Sequence, residues 1–451
     1  MAQGTRVVVI GFSGHGAHAA MTLKRLHPSL DVTVIREEPH LLIRCAIPYI
    51  VGEEATVEAS YKSDDMFTGV GTKLIDSRAT GIDRKSKTVM TENGSVYPYD
   101  KLVLATGGTP AKPRIPGFDT AGVFTIRTAS DALAIRDWMK QKAVKKAVVV
   151  GASAVGLETA AALSRRGVSV TVVEMLAHAL PLAIDADMSE ELESYLRGKG
   201  IELRMNQTAA KILGDGEVAG VELSSGERID AQMVLLAVGV RPRLELAEAA
   251  GLESGRFGLK VNRHLQTSDP DIYAGGDLIE YTNFITGKTM GGQLRPNAVM
   301  TGRLAAKNIL GYGMEFPGVI NTFATKLTDI SISASGLTEE AARQEEIETV
   351  TSKRESESKH AMIDGRKSYT VKLVFDRNSK KLIGGQIVSY SDCAVKQIDT
   401  IAAAIMGAMT ALDLTTIGCA GQPELSPDPG TEPLALAAED AFHELYPLEV
   451  A

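Results

Sequence analysis

Cysteine is scarce in this chain: Cys45, Cys393 and Cys419 are the three among 451 residues. They lie far apart and form no C-x-x-C or zinc-ligand spacing, which excludes a disulfide framework and predicts no metal site. An excess of positive charge is also lacking. The formal net charge of −8 argues against nucleic acid as the main partner, while leaving room for a local basic pocket for phosphates. No apolar run reaches the roughly 20 residues needed to cross a bilayer, so no membrane partner is expected. The longest, Ile401 to Leu412, reads as an Ala-rich buried helix. A strand pattern, Arg6-Val7-Val8-Val9-Ile10, stands where a signal peptide would lie. These absences together predict a cytoplasmic protein.

What is present is ordinary globular material, 44% apolar and 23% charged. The length suggests roughly two to four domains. Many of the 43 glycines fall at turns between apolar runs, as in an α/β protein with many short connections. The strongest organisational signal is a repeat. Residues 6–26 read as strand, glycine turn and helix, with Val32 to Ile35 as the next strand. The same β-α-β unit returns at 146–174, from Lys146 to Val150 through a glycine turn and a helix to Val168–Glu174.

The first turn is Gly11-Phe12-Ser13-Gly14-His15-Gly16. A full G-x-G-x-x-G would place Gly where Ser13 stands. Gly11 allows the tight turn and Gly16 a close helix–strand approach. The helix beginning there offers free N–H groups and a positive dipole end to a pyrophosphate. The second turn, Gly151-Ala152-Ser153-Ala154-Val155-Gly156, again carries Ser at the middle position. Glu174 ends the strand after it. A carboxylate there accepts hydrogen bonds from ribose hydroxyls and repels a 2′-phosphate, which favours NADH over NADPH. The first unit has no such acid: Arg36 stands in its place, with Glu37 next as a candidate. Asp277, after the pair Gly275-Gly276, is a candidate for holding the ribityl chain or pyrophosphate region of a flavin.

Between the repeats, Leu102 to Gly108 reads as a strand entering the Pro-rich crossing segment Thr109 to Gly117. Met233 to Gly239 is a matching strand, followed by Val240-Arg241-Pro242. From about residue 326 the texture changes. Val371 to Phe375 and Leu382 to Val388 alternate like antiparallel strands joined through Asn378 to Lys381, and helical stretches follow. The charged run Glu339 to Lys359 reads as solvated surface.

Several spaced motifs in one order resemble the pyridine nucleotide-disulfide oxidoreductase family. They are the turn at 11–16, Ala105-Thr106-Gly107 with Pro110 to Gly117, the turn at 151–156 with Leu157-Glu158, Val238 to Pro242, and Thr267 to Asp277. The resemblance implies an α/β fold with two Rossmann-like domains, for FAD and NAD(P), and a C-terminal α+β dimerisation domain. It implies FAD-binding residues 1–117 and 246–325, an NAD(H)-binding domain at 118–245, an interface domain at 326–451, and a homodimer. It extends the cofactor contacts to Ala79, Val155, Glu158, Gly239, Gly276 and Ala298.

Arg44-Cys45-Ala46-Ile47-Pro48-Tyr49 resembles the redox segment of the family's single-cysteine branch. That branch includes coenzyme A-disulfide reductases, NADH oxidases and peroxidases, and persulfide or polysulfide reductases. The two-cysteine branch would place a second Cys at Ile50 and an acid–base His in the stretch now reading Gln422 to Ser426. A helix start and the neighbouring Arg44 predict more thiolate at Cys45, able to attack a disulfide or persulfide sulfur or to form a sulfenic acid. Cys393 and Cys419 read as packing residues.

The chain also departs from the pattern it resembles. Ala361 to Gly365 lacks the Tyr of coenzyme A-disulfide reductases, Glu424 and Leu425 stand near a second missing Tyr, and the usual Ser before the Cys is replaced near Leu41. The catalytic His of the oxidases and peroxidases falls at Gly14, with His15 one residue on. His18 reads as a helix-face residue, and Lys24 and Arg25 as solvated rather than phosphate-binding.

The expected activity is NADH-dependent reduction, through FAD and Cys45, of a small disulfide, persulfide or polysulfide, with coenzyme A as one carrier. An NADH oxidase or peroxidase and a redox-responsive flavoprotein of little turnover are the rivals.

Overall fold

The computed structural model describes residues 4–448. The chain forms two compact units of discontinuous sequence. Unit 1 takes residues up to 112, 127–133 and 239–319; unit 2 takes 113–126, 134–238 and 320 onward.

In unit 1 the first repeat folds as β1 (Arg6–Ile10), α1 (Gly14–Leu26) and β2 (Asp31–Arg36). These strands sit in a five-stranded parallel sheet in the order Ile272–Ala274, Lys101–Leu104, β1, β2, Lys73–Asp76. Val7, Val9, Val32, Val34, Leu102 and Val103 are fully buried. Strands covered on both faces read as unbroken apolar runs rather than alternating ones, which is why they were legible. The second repeat, in unit 2, folds as β3 (Lys146–Val150), α2 (Ala154–Arg165) and β4 (Ser169–Val173). Its parallel sheet runs Val123–Thr125, Met233–Leu236, β3, β4, Glu202–Arg204.

The C-terminal sheet of unit 2 is antiparallel, in the order Phe323–Leu327, Ile330–Gly336, Leu382–Ser389, Ser368–Asp376, Thr349–Glu357. Three expectations change here. The strands Ser368–Asp376 and Leu382–Ser389 do not alternate; they are buried almost throughout, because they are central in the sheet and covered on both faces. Residues 339–359 are not only solvated surface. They form a helix, Glu339–Gln344, and the edge strand Thr349–Glu357, whose Val350 is buried. The Ala-rich run is two short helices, Ile398–Met406 and Ala411–Thr415, broken at Gly407 and Ala408, the latter with φ 53°.

Among the described residues no helix is long and apolar enough to cross a membrane, and no group of three or more His, Cys, Asp or Glu is placed to hold a metal.

Candidate functional site

In unit 1 the turn after β1 brings the first set of candidates together. Gly11 has φ +101°, and a Cβ there would lie 2.2 Å from the Ala105 carbonyl oxygen. A Cβ on Gly16 would lie 2.0 Å from the Gly11 oxygen and 3.1 Å from the Ala105 Cβ. Both positions therefore require glycine for close approach. Ser13 caps α1 with φ −138°, a backbone that any residue adopts, so glycine is not needed at the middle position. Gly14 meets Ala298 on α3 (Arg295–Ile309), with a built Cβ 2.9 Å from that of Ala298. Gly276 and Asp277 follow the strand Ile272–Ala274 and lie against the same helices. Gly11, Ser13, Gly14, Gly16, Ala105, Ala298, Gly276 and Asp277 thus share one end of the sheet. Thr106 and Gly107 join them by bonding to Arg243, through the Thr106 hydroxyl at 3.1 Å and the Gly107 carbonyl at 2.9 Å.

Other candidates are placed differently. Arg36 is buried, with both terminal nitrogens on Asp64 and Nε on Asp76, each at 2.6 Å. Each of its three nitrogens is engaged by a protein carboxylate, so it ties the end of β2 to Asp76 and to Asp64. Glu37 is exposed and accepts from Arg243 at 2.7 Å. Ala79 begins a separate antiparallel sheet, pairs with Thr91 and packs on the apolar core of the unit. Gly239 has φ +102° and faces open space.

Cys45 is exposed, on the one-turn 3-10 helix Arg44–Ala46, followed by the short helix Ile47–Val51. Five residues make a weak dipole, so the predicted helix start offers less than expected. Arg44 is committed as well. It donates to the Arg127 carbonyl at 2.7 Å and to both oxygens of Glu38 at 3.0 and 3.1 Å. Its charge is shared with Glu38, and its geometry ties the Cys45 turn to the segment at Arg127. The Arg127 guanidinium in turn lies on Asp277 at 2.6 Å. Sequence reasoning missed Arg127, Glu38 and this relay, because isolated charged residues carry no motif. Ile50, where a second cysteine would fall, is fully buried.

Two further readings are corrected, and His15 is located. Lys24 is not solvated: its ammonium is buried and donates to the carbonyls of Pro28 and Leu30 at 2.6 and 3.0 Å, closing the end of α1. Cys393 is exposed and so is not a packing residue; Cys419 is half-buried, with its thiol pushed up by burial and by Glu432. His15 is buried and turned into the fold, against Thr301 and the Gly275 backbone.

In unit 2 the second turn repeats the first. A Cβ on Gly151 would lie 2.6 Å from the Ala237 oxygen, and one on Gly156 2.1 Å from the Gly151 oxygen. Ser153 caps α2, accepting from the Gly156 amide at 3.4 Å and donating to the Ala237 carbonyl at 3.2 Å. Val155 on the first turn of α2 is exposed. Glu174 is not a solvated strand-end acid. It is buried, and its carboxylate accepts from the amides of Ala152 at 2.7 Å and Leu176 at 2.9 Å. Glu158 on α2 accepts from the Thr325 hydroxyl at 2.6 Å, and burial raises its carboxyl above the ordinary range against the effect of that bond.

The donor sets fit two dinucleotides. In unit 1 the free amides at the start of α1 suit a pyrophosphate. Asp277 offers acceptors for hydroxyls, and Arg127 Nε is buried with no hydrogen-bond partner among the described residues, leaving a donor open to an oxygen-rich ligand. That combination fits FAD. In unit 2 the start of α2 suits a second pyrophosphate. The Glu174 carboxylate keeps acceptor capacity for ribose hydroxyls beyond its two amide bonds, which fits NADH.

Two glycine-turn cradles, one per unit, define an α/β protein of the two-dinucleotide class. Residues 5–302 match the model described as pyridine nucleotide-disulphide oxidoreductase, and residues 322–431 match the dimerisation domain of the same family. An NADH oxidase of Methanocaldococcus jannaschii is 35% identical over 98% of this chain and 99% of its own. An NAD(P)H coenzyme A polysulfide/persulfide reductase of Pyrococcus horikoshii is 32% identical over 94% of this chain and 95% of its own. The solved structure of an NAD-dependent persulfide reductase from A. fulgidus superposes with a TM-score of 0.91 at 32% identity, covering 98% of this chain and 83% of that one. The chain belongs to the pyridine nucleotide-disulphide oxidoreductase family and is an oxidoreductase that works with FAD and NADH.

Proposed function

We propose that the protein is an NADH-dependent reductase of a disulfide, persulfide or polysulfide, acting through the single thiol of Cys45. The observation that carries this reading is the exposed Cys45 on a turn tied by Arg44 to the Arg127–Asp277 pair. The FAD contacts are Gly11, Ser13, Gly14, Gly16, Ala105, Thr106, Gly107, Gly276, Asp277 and Ala298; those to NADH are Gly151, Ser153, Val155, Gly156, Glu158 and Glu174. Buried Glu174 supports NADH over NADPH, because a 2′-phosphate would meet its charge.

The Cys45 thiolate attacks one sulfur of the substrate. A Cys45–S–S–R bond forms, the substrate S–S bond breaks, and the leaving sulfur departs as thiolate or hydrosulfide with the electron pair. FAD, when bound, supplies passage of two electrons from NADH to sulfur. Those electrons cleave the mixed disulfide, restoring the Cys45 thiolate and releasing RS⁻. The match of residues 322–431 to the dimerisation domain supports a homodimer.

Anaerobic titration with NADH tests this. Loaded with a disulfide so that Cys45 stands as the mixed disulfide, and freed of excess substrate, wild type consumes one two-electron equivalent more than Cys45→Ser treated in the same way before the flavin bleaches. Equal consumption removes Cys45 from the reaction. The relative named NADH oxidase favours a second reading, in which oxidised Cys45 is a sulfenic acid. Oxygen uptake with NADH that exceeds turnover with any disulfide or polysulfide would decide for it.

A further inference from the structure

His15 lies in the first glycine turn and has no role in the chemistry proposed above. Its ring is pressed against the end of the strand Ile272–Ala274. A Cβ on Gly275 would lie 2.2 Å from both Cε1 and Nδ1 of His15, and 2.9 Å from the Thr301 hydroxyl oxygen. Gly275 itself is extended, at φ −174°, so glycine is needed there for space and not for conformation. The ring fills that space.

Thr301 is the hub of the contact and is fully buried. Its hydroxyl donates to the Asn297 carbonyl at 2.8 Å, shared with Ala298 at 3.1 Å. Its oxygen accepts from the Gly276 amide at 3.2 Å and faces His15 Nδ1 at 3.1 Å. With the hydroxyl proton directed to the carbonyls, Nδ1 is assigned as the donor. Nε2 is then a bare acceptor, buried without a hydrogen-bond partner. Burial without a hydrogen-bond partner at Nε2 keeps the ring neutral, and the Ala298 carbonyl offsets that burial only in part. From the other side the buried Tyr281 hydroxyl donates to the Gly276 carbonyl at 3.0 Å. The Gly276 peptide groups, immediately before Asp277, are therefore held on both sides. Gly276 has φ +67°, a conformation that sets the direction in which the chain delivers Asp277.

We infer that His15 is a positioning residue for FAD: a neutral wedge that, through Thr301, holds the Gly276 turn so that the Asp277 carboxylate meets the flavin. This rests on the reading of Asp277 as an FAD contact. The test uses apo-protein titrated with FAD, followed by the visible spectrum of the bound flavin, its dissociation constant and the thermal midpoint. Asp277→Asn, His15→Ala and His15→Asn are compared with wild type. Asn places an amide donor where Nδ1 stands.

His15→Ala should weaken FAD about tenfold, the loss of one buried hydrogen bond, and shift the flavin band. His15→Asn should restore both. NADH affinity should not move in either. If His15→Ala binds FAD with wild-type affinity and spectrum while Asp277→Asn is impaired, the role of His15 is wrong. If Asp277→Asn also binds normally, the reading of Asp277 falls first. Should His15→Ala not fold, Thr301→Val cuts the same link from the opposite side, and wild-type FAD binding in it overturns the inference equally.

Discussion

His15 and Glu174 both exchange solvent for fixed partners, and each has a measurable consequence. Burial pushes the His15 imidazole down to about 3; the Ala298 carbonyl opposes this and His18 adds to it. The unfolded chain takes up a proton near the ordinary value of 6.5 while the folded one does not. The contribution of His15 is thus fully present above that value. It is lost as pH falls toward 3, at about 1.4 kcal/mol per pH unit. Urea unfolding of wild type between about pH 7 and pH 4 should show this slope, and His15→Asn should lack that part of it. Parallel curves would contradict a neutral buried His15. For Glu174, substitution by Gln keeps an acceptor but removes the charge. The ratio of kcat/KM for NADH over NADPH should fall by about tenfold or more, mostly through KM for NADPH. An unchanged ratio would mean that the 2′-position does not meet this side chain.

The strand–turn–helix element is the next scale. Each glycine turn lets a helix start lie against a backbone carbonyl at a distance no side chain permits. Gly16→Ala sets a Cβ at 2.0 Å from the Gly11 oxygen, and Gly156→Ala at 2.1 Å from that of Gly151. Because the two turns belong to different units, their effects should separate. Gly16→Ala should yield protein depleted of FAD. Gly156→Ala should stay yellow but lose NADH affinity, each by at least about tenfold for a forced backbone shift. Loss of both ligands in either variant would refute independent cradles. These elements were legible in the sequence because buried parallel strands are runs of Val, Ile and Leu, and because a glycine turn between such a run and a helix has few other meanings. The edge strand Thr349–Glu357 was not legible. Four of its nine residues face solvent and carry charge, so it reads like surface until its partner Ser368–Asp376 is known. The break at Gly407 and Ala408 was hidden by the high helix propensity of the alanines around it.

At the scale of the whole molecule, unit 2 joins a nucleotide-binding sheet and the C-terminal antiparallel sheet. A buried ionic knot links their segments. Lys372 reaches Asp185 at 3.2 Å, Asp187 at 2.8 Å and Glu339 at 3.1 Å, and Asp185 also accepts from Gln386 at 2.6 Å. Lys372 and Asp185 are both almost fully buried, so removing the cation strands a carboxylate. Lys372→Met should cost about 3–5 kcal/mol by chemical unfolding, whereas Lys353→Met, on an exposed lysine near Asp187, should cost under about 1 kcal/mol. Equal costs would show that burial does not govern the knot.

The sequence by itself determined the two nucleotide-binding repeats, the separate C-terminal region and the position of Cys45. Each rests on local order along the chain: apolar runs, glycine spacing, and one cysteine in a recognisable segment. The tertiary structure alone decided what the polar side chains do. It turned Arg36 and Lys24 into structural ties, buried Glu174 behind its glycine turn, linked Arg44 to Arg127 and Asp277, and set His15 beneath Gly275. Most of these outcomes depend on partners 22 to 286 residues along the chain, while Lys24 turns back onto carbonyls 4 and 6 residues on because of the side of the helix it occupies. A charged residue looks the same in sequence whether water or a buried carboxylate completes its bonds, and only the fold supplies the partner.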